Sequence, residues 1–331
     1  MTSALPTVSA VIPVFDGLHF LRRSLPALLA RIPADLVEVL VIDDGSTDGS
    51  GEFARALGAR VLPSGGRTGP AAARNLGVQA AVGDAVLFVD ADVVIHEDAV
   101  AVAREVLGDP KITAVFGAYD DRPTDPGFFS RFKNLQHHAV HLRSAGEATT
   151  FWTGCGAVRR DAFLAVGGFD VARFPTPSIE DIELGYRLRA AGGRIRLDPR
   201  MLATHLKRWT LTDLVRTDVR RRALPWARLL LRREQAQDDL NVTGVERARA
   251  ALAWLLVGAA PLVLAPVLAP VPLALLGLAI LANARLLLVF LRSQGLLFAF
   301  GGALFLQVYY LYATAAYLFA WAEHRLGLGE R

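Results

Sequence analysis

The run Ala85-Val86-Leu87-Phe88-Val89-Asp90-Ala91-Asp92 decides how the chain is read. Five apolar residues in succession suit a strand buried on both faces, as in a parallel sheet covered by helices. Two carboxylates follow with one residue between them, and residues i and i+2 of a strand point the same way. Paired anions repel unless a cation is shared between them. A hard divalent ion such as Mg2+ or Mn2+ suits the pair, because it takes one or two carboxylates and completes its shell with water and phosphate oxygens. A nucleoside diphosphate is the substrate this implies. A solvated turn is the competing reading of the same three residues.

Outward from that run, short β-branched stretches alternate with longer helical ones. Strands are expected at residues 8–14, 37–43, 59–62, 85–90 and 112–118, with helices near 18–30, 51–57, 69–81 and 97–107. This rhythm predicts an α/β fold, a mostly parallel Rossmann-like sheet with helices on both faces. Ligands of such sheets bind outside the carboxyl ends of the strands, where Asp16, Asp43, Asp44, Asp90 and Asp92 fall. In Val41-Ile42-Asp43-Asp44-Gly45-Ser46-Thr47-Asp48 a second strand ends in paired acids. One of them is suited to accept from a base or ribose donor. Ser46, Thr47 and Asp48 equally suit an Asx-turn with helix caps, and both readings stand together. Gly65-Gly66-Arg67-Thr68-Gly69-Pro70 then supplies a flexible loop and a helix start, with Arg67 and Arg74 as cations for phosphate.

The chain has 331 residues, 53% hydrophobic and 21% charged, which is too apolar for disorder, collagen or a coiled coil. Its single Cys155 excludes a disulfide framework and any cysteine-ligated metal cluster. The formal charge of +4 says less than its distribution. From Arg249 onward the charges are Arg249, Arg285, Arg292, Glu323, Arg325, Glu330 and Arg331 alone. A spanning helix needs about 20 apolar residues. Three spans are therefore expected, at residues 251–269, 271–290 and 295–321, the first two divided by the proline-rich turn near residue 270. Residues 207–233 carry nine Lys and Arg (Lys207, Arg208, Arg216, Arg220, Arg221, Arg222, Arg228, Arg232, Arg233) interleaved with Trp209, Leu214, Trp226 and Leu229. Such a stretch fits the headgroup layer of an anionic membrane surface. No base-stacking platform accompanies it, so no nucleic-acid partner is expected. Residues 1–6 lack the basic region of a removable leader. With Arg247, Arg249, Arg285 and Arg292 on its side of the bilayer, the amino-terminal domain is expected at the cytoplasmic face of an integral membrane protein. The domains expected are residues 1–206, a basic interfacial segment 207–248, and a transmembrane region 249–331.

Six stretches occur in an order and spacing that resembles the family-2 glycosyltransferases of the GT-A fold. They are Ala10-Val11-Ile12-Pro13-Val14-Phe15-Asp16, Val41-Ile42-Asp43-Asp44-Gly45-Ser46, Gly69-Pro70-Ala71-Ala72-Ala73-Arg74-Asn75, Asp90-Ala91-Asp92, Gly167-Gly168-Phe169-Asp170 and Glu180-Asp181-Ile182-Glu183-Leu184. The resemblance implies a GT-A sheet and an inverting, metal-dependent transfer of a sugar from a nucleotide-diphosphate sugar. Carried over by position, Pro13 and Phe15 resemble the first-strand wall of the nucleotide pocket, Asp44 the acid that reads the base, and Arg74 a nucleotide contact. Asp90 and Asp92 resemble the DxD pair, Asp92 being the direct ligand of Mg2+ or Mn2+. Asp181 resembles the general base. Asp16 stands where the family usually has Asn.

Without the resemblance, Glu180, Asp181 and Glu183 read equally as acids in the first turn of a helix, favoured there by its dipole. His205 lies where related enzymes often contact the metal or diphosphate; an interface histidine is the alternative. Trp152 and Gly154 resemble the family's acceptor-side loop, and the resemblance implies an acceptor-side place for Glu180 as well. His137, His138 and His141 sit in what reads as an amphipathic surface helix rather than a metal site. Tethering a soluble catalytic fold to a membrane raises its effective concentration towards an acceptor in the same surface, a lipid or lipid-linked glycan. A hydroxyl acceptor needs a base, whereas a polyprenyl phosphate does not, and the Glu180-Asp181 pair favours the hydroxyl. An inactive membrane-anchored nucleotide-sugar-binding protein would have no use for Asp90, Asp92 and Asp181 together. A nucleotidyltransferase would want a basic Gly-rich loop after the first strand, which Val14-Phe15-Asp16-Gly17-Leu18 is not. Homo-oligomerisation is left open.

Overall fold

In the computed structural model the described residues are 4–32, 34–232 and 243–328. Residues 233–242 of the expected interfacial segment lie outside them, as do Glu330 and Arg331. The chain divides into two compact units, residues 1–125 with 140–208, and residues 126–139 with 209–331.

The first unit is built on one sheet of nine strands. These are β1 (Val8–Val14), β2 (Glu38–Asp43), β3 (Arg60–Pro63), β4 (Ala85–Val89), β5 (Val93–Ile95), β6 (Ile112–Tyr119), β7 (Gly146–Ala148), β8 (Cys155–Arg159) and β9 (Arg194–His205). Their order is β3-β2-β1-β4-β8-β6-β9-β5, with β7 also paired to β9. β1, β2, β3 and β4 are mutually parallel. β8 then runs antiparallel between β4 and β6, and β5 and β7 run antiparallel to β9. The sheet is thus mixed, parallel in the half that the sequence marked out and mixed in the other.

β4 is wholly buried, as its five apolar residues require. Leu87 and Val89 join Leu21, Leu25 and Leu28 of the helix Leu18–Leu29 on one face. Phe88 on the opposite face packs against Phe151, Phe163 and Phe169, with ring centroids 5.4–6.4 Å away. Truncating a fully buried ring of this kind costs about 3–5 kcal/mol. The layer on each face fixes the carboxyl ends of β1, β2 and β4 at one edge. β9 brings His205 to the same edge through its antiparallel pairing of His205 with Val93. Gly117 lets β6 and β9 approach there, since a Cβ at that position would run into the backbone of Met201.

The second unit is helical. It contains the helices Leu211–Thr217 and Leu224–Leu231 flanking a π-helical turn Asp218–Ala223, and then Gly244–Ala259, Pro270–Ala282, Ala284–Gln294 and Leu296–Arg325. Phe132, Trp209, Leu214, Ala253, Phe290, Leu306 and Tyr310 form its core. Gly301 and Gly302 face the rings of Phe128 and Phe290. Within this unit Lys133 Nζ lies 2.7 Å from Asp218 Oδ1, and the Tyr312 hydroxyl donates to Asp218 Oδ2 at 2.9 Å. Among the described residues two helices are long and apolar enough to cross a membrane, Gly244–Leu264 and Leu296–Arg325. The stretch expected as one span, 271–290, falls on the helices Pro270–Ala282 and Ala284–Gln294, which are apolar enough to cross together but are bent by 74°, as a broken span or a re-entrant loop is. The break is at Asn283, whose amide donates to Ala279 O while its Oδ1 accepts from the Tyr310 hydroxyl.

Candidate active site

The loop after β2 is tied to the end of β1. Asp16 adopts a left-handed backbone conformation, φ 46°, which Asn and Asp tolerate best among residues with a side chain. Its Oδ1 accepts from Thr47 N at 2.8 Å, and Asp48 Oδ2 accepts from Leu18 N at the start of the following helix. Asp48 therefore satisfies one of the unpaired N–H groups that every helix start presents.

Asp44, at the end of β2, is buried and accepts four hydrogen bonds. The donors are Ser64 Oγ at 2.7 Å, Thr68 Oγ1 at 2.7 Å, Thr68 N at 2.8 Å and Gly69 N at 2.9 Å. Burial alone would raise its pKa, but these donors outweigh burial and hold the carboxyl below its usual range. Pro13 lies on β1 opposite Ile42. Phe15 is 38% exposed at the end of the same strand, with the Arg67 guanidinium 4.2 Å from its ring centroid.

Arg74, in the helix Pro70–Ala80, is buried and forks between two acids. Its Nη2 lies 2.6 Å from Asp90 Oδ1 and its Nη1 lies 2.9 Å from Glu180 Oε1. Glu180 also accepts from Ser178 N at 2.8 Å through its second oxygen. One buried cation thereby joins the mouth of β4 to the start of the helix Glu180–Ala190. Asp181, the next residue, accepts from Thr153 N at 3.2 Å and from Ile182 N at 2.9 Å. Burial pushes its pKa up to about 6, with the Glu180 charge adding to the rise and Arg74 opposing it. A carboxylate poised there serves as a proton acceptor near neutral pH.

Asp92 Oδ2 lies 3.4 Å from His205 Nε2. Burial would raise the Asp92 pKa, but the His205 and Lys207 charges outweigh it and keep the carboxylate ionised. The His205 ring lies flat on Tyr119, centroids 4.4 Å apart at 8°, and Tyr119 meets Trp152 edge to face. Gly154 makes room for the Trp152 ring, which a Cβ there would strike. Among the described residues no three His, Cys, Asp or Glu side chains converge as a complete ligand set. Asp92 and His205 together fit a divalent ion that keeps waters and takes its other oxygens from phosphate. Asp90 has one oxygen committed to Arg74. Cys155, beside this site, is fully buried and its thiol is pushed up to about 12, so it is no nucleophile.

The candidate residues thus form connected pairs at one sheet edge: Arg74 with Asp90 and Glu180, Asp92 with His205, Asp181 with Thr153. Tyr119 and Thr153 were given no role by the sequence reading, and Arg67 entered it only as a cation for phosphate. Tyr119 was within reach of the strand-end rule, since it closes β6 as Asp90 follows β4.

Residues 9–167 match the family model described as glycosyl transferase family 2. That segment is a family 2 glycosyltransferase domain. The chain is 32% identical over 218 residues to the pre-mycofactocin glycosyltransferase of Mycobacterium tuberculosis, covering 63% of this chain and 44% of that one. It is 28% identical over 180 residues to the glycosyltransferase AglE of Haloferax volcanii, covering 51% and 58%. The chain spans about half the length of these relatives. Among solved structures, the mannosyltransferase PcManGT of Pyrobaculum calidifontis, determined with GDP-Man and Mn2+, superposes with a TM-score of 0.59 at 20% identity. The superposition covers 96% of this chain and 88% of that one, and it shows the GT-A fold.

Proposed function

We propose that this glycosyltransferase moves a sugar, with inversion, from a nucleotide-diphosphate sugar to a hydroxyl of a membrane-associated acceptor, a lipid or lipid-linked glycan. The observation that carries this reading is Asp181, half-buried, raised to about 6 and adjacent to the Arg74–Asp90–Glu180 cluster. In the reaction the acceptor oxygen bonds to the anomeric carbon as the bond from that carbon to the diphosphate oxygen breaks. Asp181 takes the acceptor proton, and the nucleoside diphosphate leaves with the bonding pair. Asp92 and His205, with Asp90 beside them, are the residues that would hold Mg2+ or Mn2+. That ion would offset the charge growing on the leaving phosphates. Arg74 keeps Glu180 and Asp90 apart from one another's charge. Pro13, Phe15 and Asp44 bound the nucleoside side, and Trp152, Gly154 and Glu180 the acceptor side. The two apolar helices and the basic residues of 207–232 support an integral membrane location with the catalytic unit at the cytoplasmic face.

The test is transfer of label from a nucleotide sugar into an organic-extractable product by membranes containing the protein. Transfer that EDTA stops and Asp181→Asn abolishes supports the reading. Full turnover by Asp181→Asn, with a product labile to mild acid, would instead identify a polyprenyl phosphate acceptor.

A further inference from the structure

Residues 64–69, between β3 and the helix Pro70–Ala80, carry two kinds of glycine. Gly69 has φ +89°, donates to Asp44, and would strike the Pro175 carbonyl if it bore a Cβ. That end of the loop is fixed. Gly65 and Gly66 have φ +90° and +141° with open space around them, so their use is conformational and not steric. Between these glycines and the fixed end lies Arg67, exposed to solvent, its guanidinium stacked on Phe15. Phe15 is itself an exposed ring at the carboxyl end of β1, one residue after Val14, whose carbonyl accepts from Asp44 N at 2.8 Å.

An exposed cation–π pair is a weak contact, comparable to what a stacked base offers the same ring. The 4.2 Å between guanidinium and ring leaves no space for a planar base, which needs about 3.5 Å on each side. A base reaches Phe15 only when Arg67 moves outward by about 3 Å. Rotation of the exposed Arg67 side chain supplies that movement, while Asp44 and the Gly66 carbonyl, which accepts from Ser64 Oγ and Thr68 N, keep the loop backbone in place.

We propose that Arg67 is a nucleobase clamp: it exchanges its stack on Phe15 for the face of the donor's base, which then lies between ring and guanidinium. Asp44 acts as the latch of the clamp, through the loop it holds. This inference deepens the nucleotide-sugar reading and rests on it. Stacking tolerates every base, so the clamp supplies affinity and leaves discrimination to other contacts.

The experiment measures binding of GDP, UDP and pyrophosphate to the purified full chain by calorimetry with Mn2+ present. Arg67→Ala should weaken the bound nucleotide about tenfold and leave pyrophosphate unchanged. Arg67→Lys, which keeps the charge and loses the planar face, should show most of the same loss. Phe15→Leu should match Arg67→Ala. Because Arg67 is exposed, its substitution leaves the fold intact. Unchanged nucleotide affinity in Arg67→Ala overturns the clamp alone. Full affinity in Arg67→Lys, or equal loss for pyrophosphate, overturns it in favour of a charge contact to the diphosphate. A wild-type chain that binds pyrophosphate and neither nucleotide overturns the clamp together with the nucleotide-sugar reading.

Discussion

Arg74 lies 2.6 Å from Asp90 with its guanidinium almost wholly buried. Glu180 takes the other arm of the fork, and Asp181 adds a third negative charge to the same surroundings. Three acids around one cation make its removal costly, because each acid is left in low dielectric without a partner. Arg74→Met should lower unfolding stability by about 3 kcal/mol, at the low end of the range for a broken buried pair since Asp90 is partly solvated. Chemical denaturation of the detergent-solubilised chain measures this. An equal midpoint in Arg74→Met and wild type would show that the fork contributes no stability. Arg74→Lys reaches one acid and not two, so it should recover only part of the loss.

The pH dependence follows from Asp181. Its folded pKa is about 6 against an ordinary 3.8, so the folded state holds the proton more tightly than the unfolded chain. Ionising it therefore weakens the fold as pH rises from 3.8 towards about 6, and stability attributable to this group is greatest below that window. Catalysis runs the other way, since only the carboxylate accepts a proton. The transfer rate should fall about tenfold per unit below pH 6 and level off above it. Asp181→Asn should flatten the stability slope while abolishing transfer to a hydroxyl. A rate profile flat from pH 5 to pH 8 would exclude Asp181 as the base.

Asp92 and His205 point at one spot from β4's mouth and β9's end. In the proposed site, loss of either removes one of the two side chains closest to a divalent ion. His205→Ala should raise the Mn2+ concentration for half-maximal transfer about tenfold, and direct Mn2+ titration should show the same change. Tyr119→Leu, which removes the flat support under the imidazole, should produce a smaller shift of the same sign. Tyr119→Phe, which keeps the ring, should not. EDTA should abolish transfer in every variant, and added Mn2+ should restore it in wild type.

How much of this was legible varies by element. β1, β2, β4 and β6 are short runs that are mostly apolar on both faces, which is why they were legible as buried strands. β9 was missed because Arg194-Ile195-Arg196-Leu197-Asp198-Pro199-Arg200 alternates charge with a proline, and reads as loop until β6 and β7 are seen to flank it. Asp90, Asp92 and Asp181 were visible as motif acids. The fork of Arg74 was not, since its partners lie 16 and 106 residues away and only the folded sheet brings them together. The Tyr119–His205 stack likewise depends on the shifted register of β6 and β9. Charge counting found the apolar carboxy-terminal stretch but passed over the break at Asn283, because one amide barely alters mean hydropathy. In the fold it accepts from the Tyr310 hydroxyl, 27 residues away.

The pair Lys133–Asp218 tests the second unit on its own. Side-chain exposure is 11% and 5%, and Tyr312 completes the shell of Asp218 while Arg222 stands 3.7 Å away. Burial opposes the charge of Asp218, but Lys133 and Arg222 outweigh it and hold the carboxyl below its usual range. Lys133→Met removes the closest cation and leaves that buried carboxylate with only the Tyr312 hydroxyl and the more distant Arg222, at a cost of about 3–5 kcal/mol. A pair taken out together leaves no lone charge, so Lys133→Met with Asp218→Leu should regain more than half of that loss. Thermal unfolding in lipid nanodiscs reads both. If the double variant is no more stable than Lys133→Met, the pair is more than charge compensation, and the π-helical turn at Asp218 depends on the carboxylate itself.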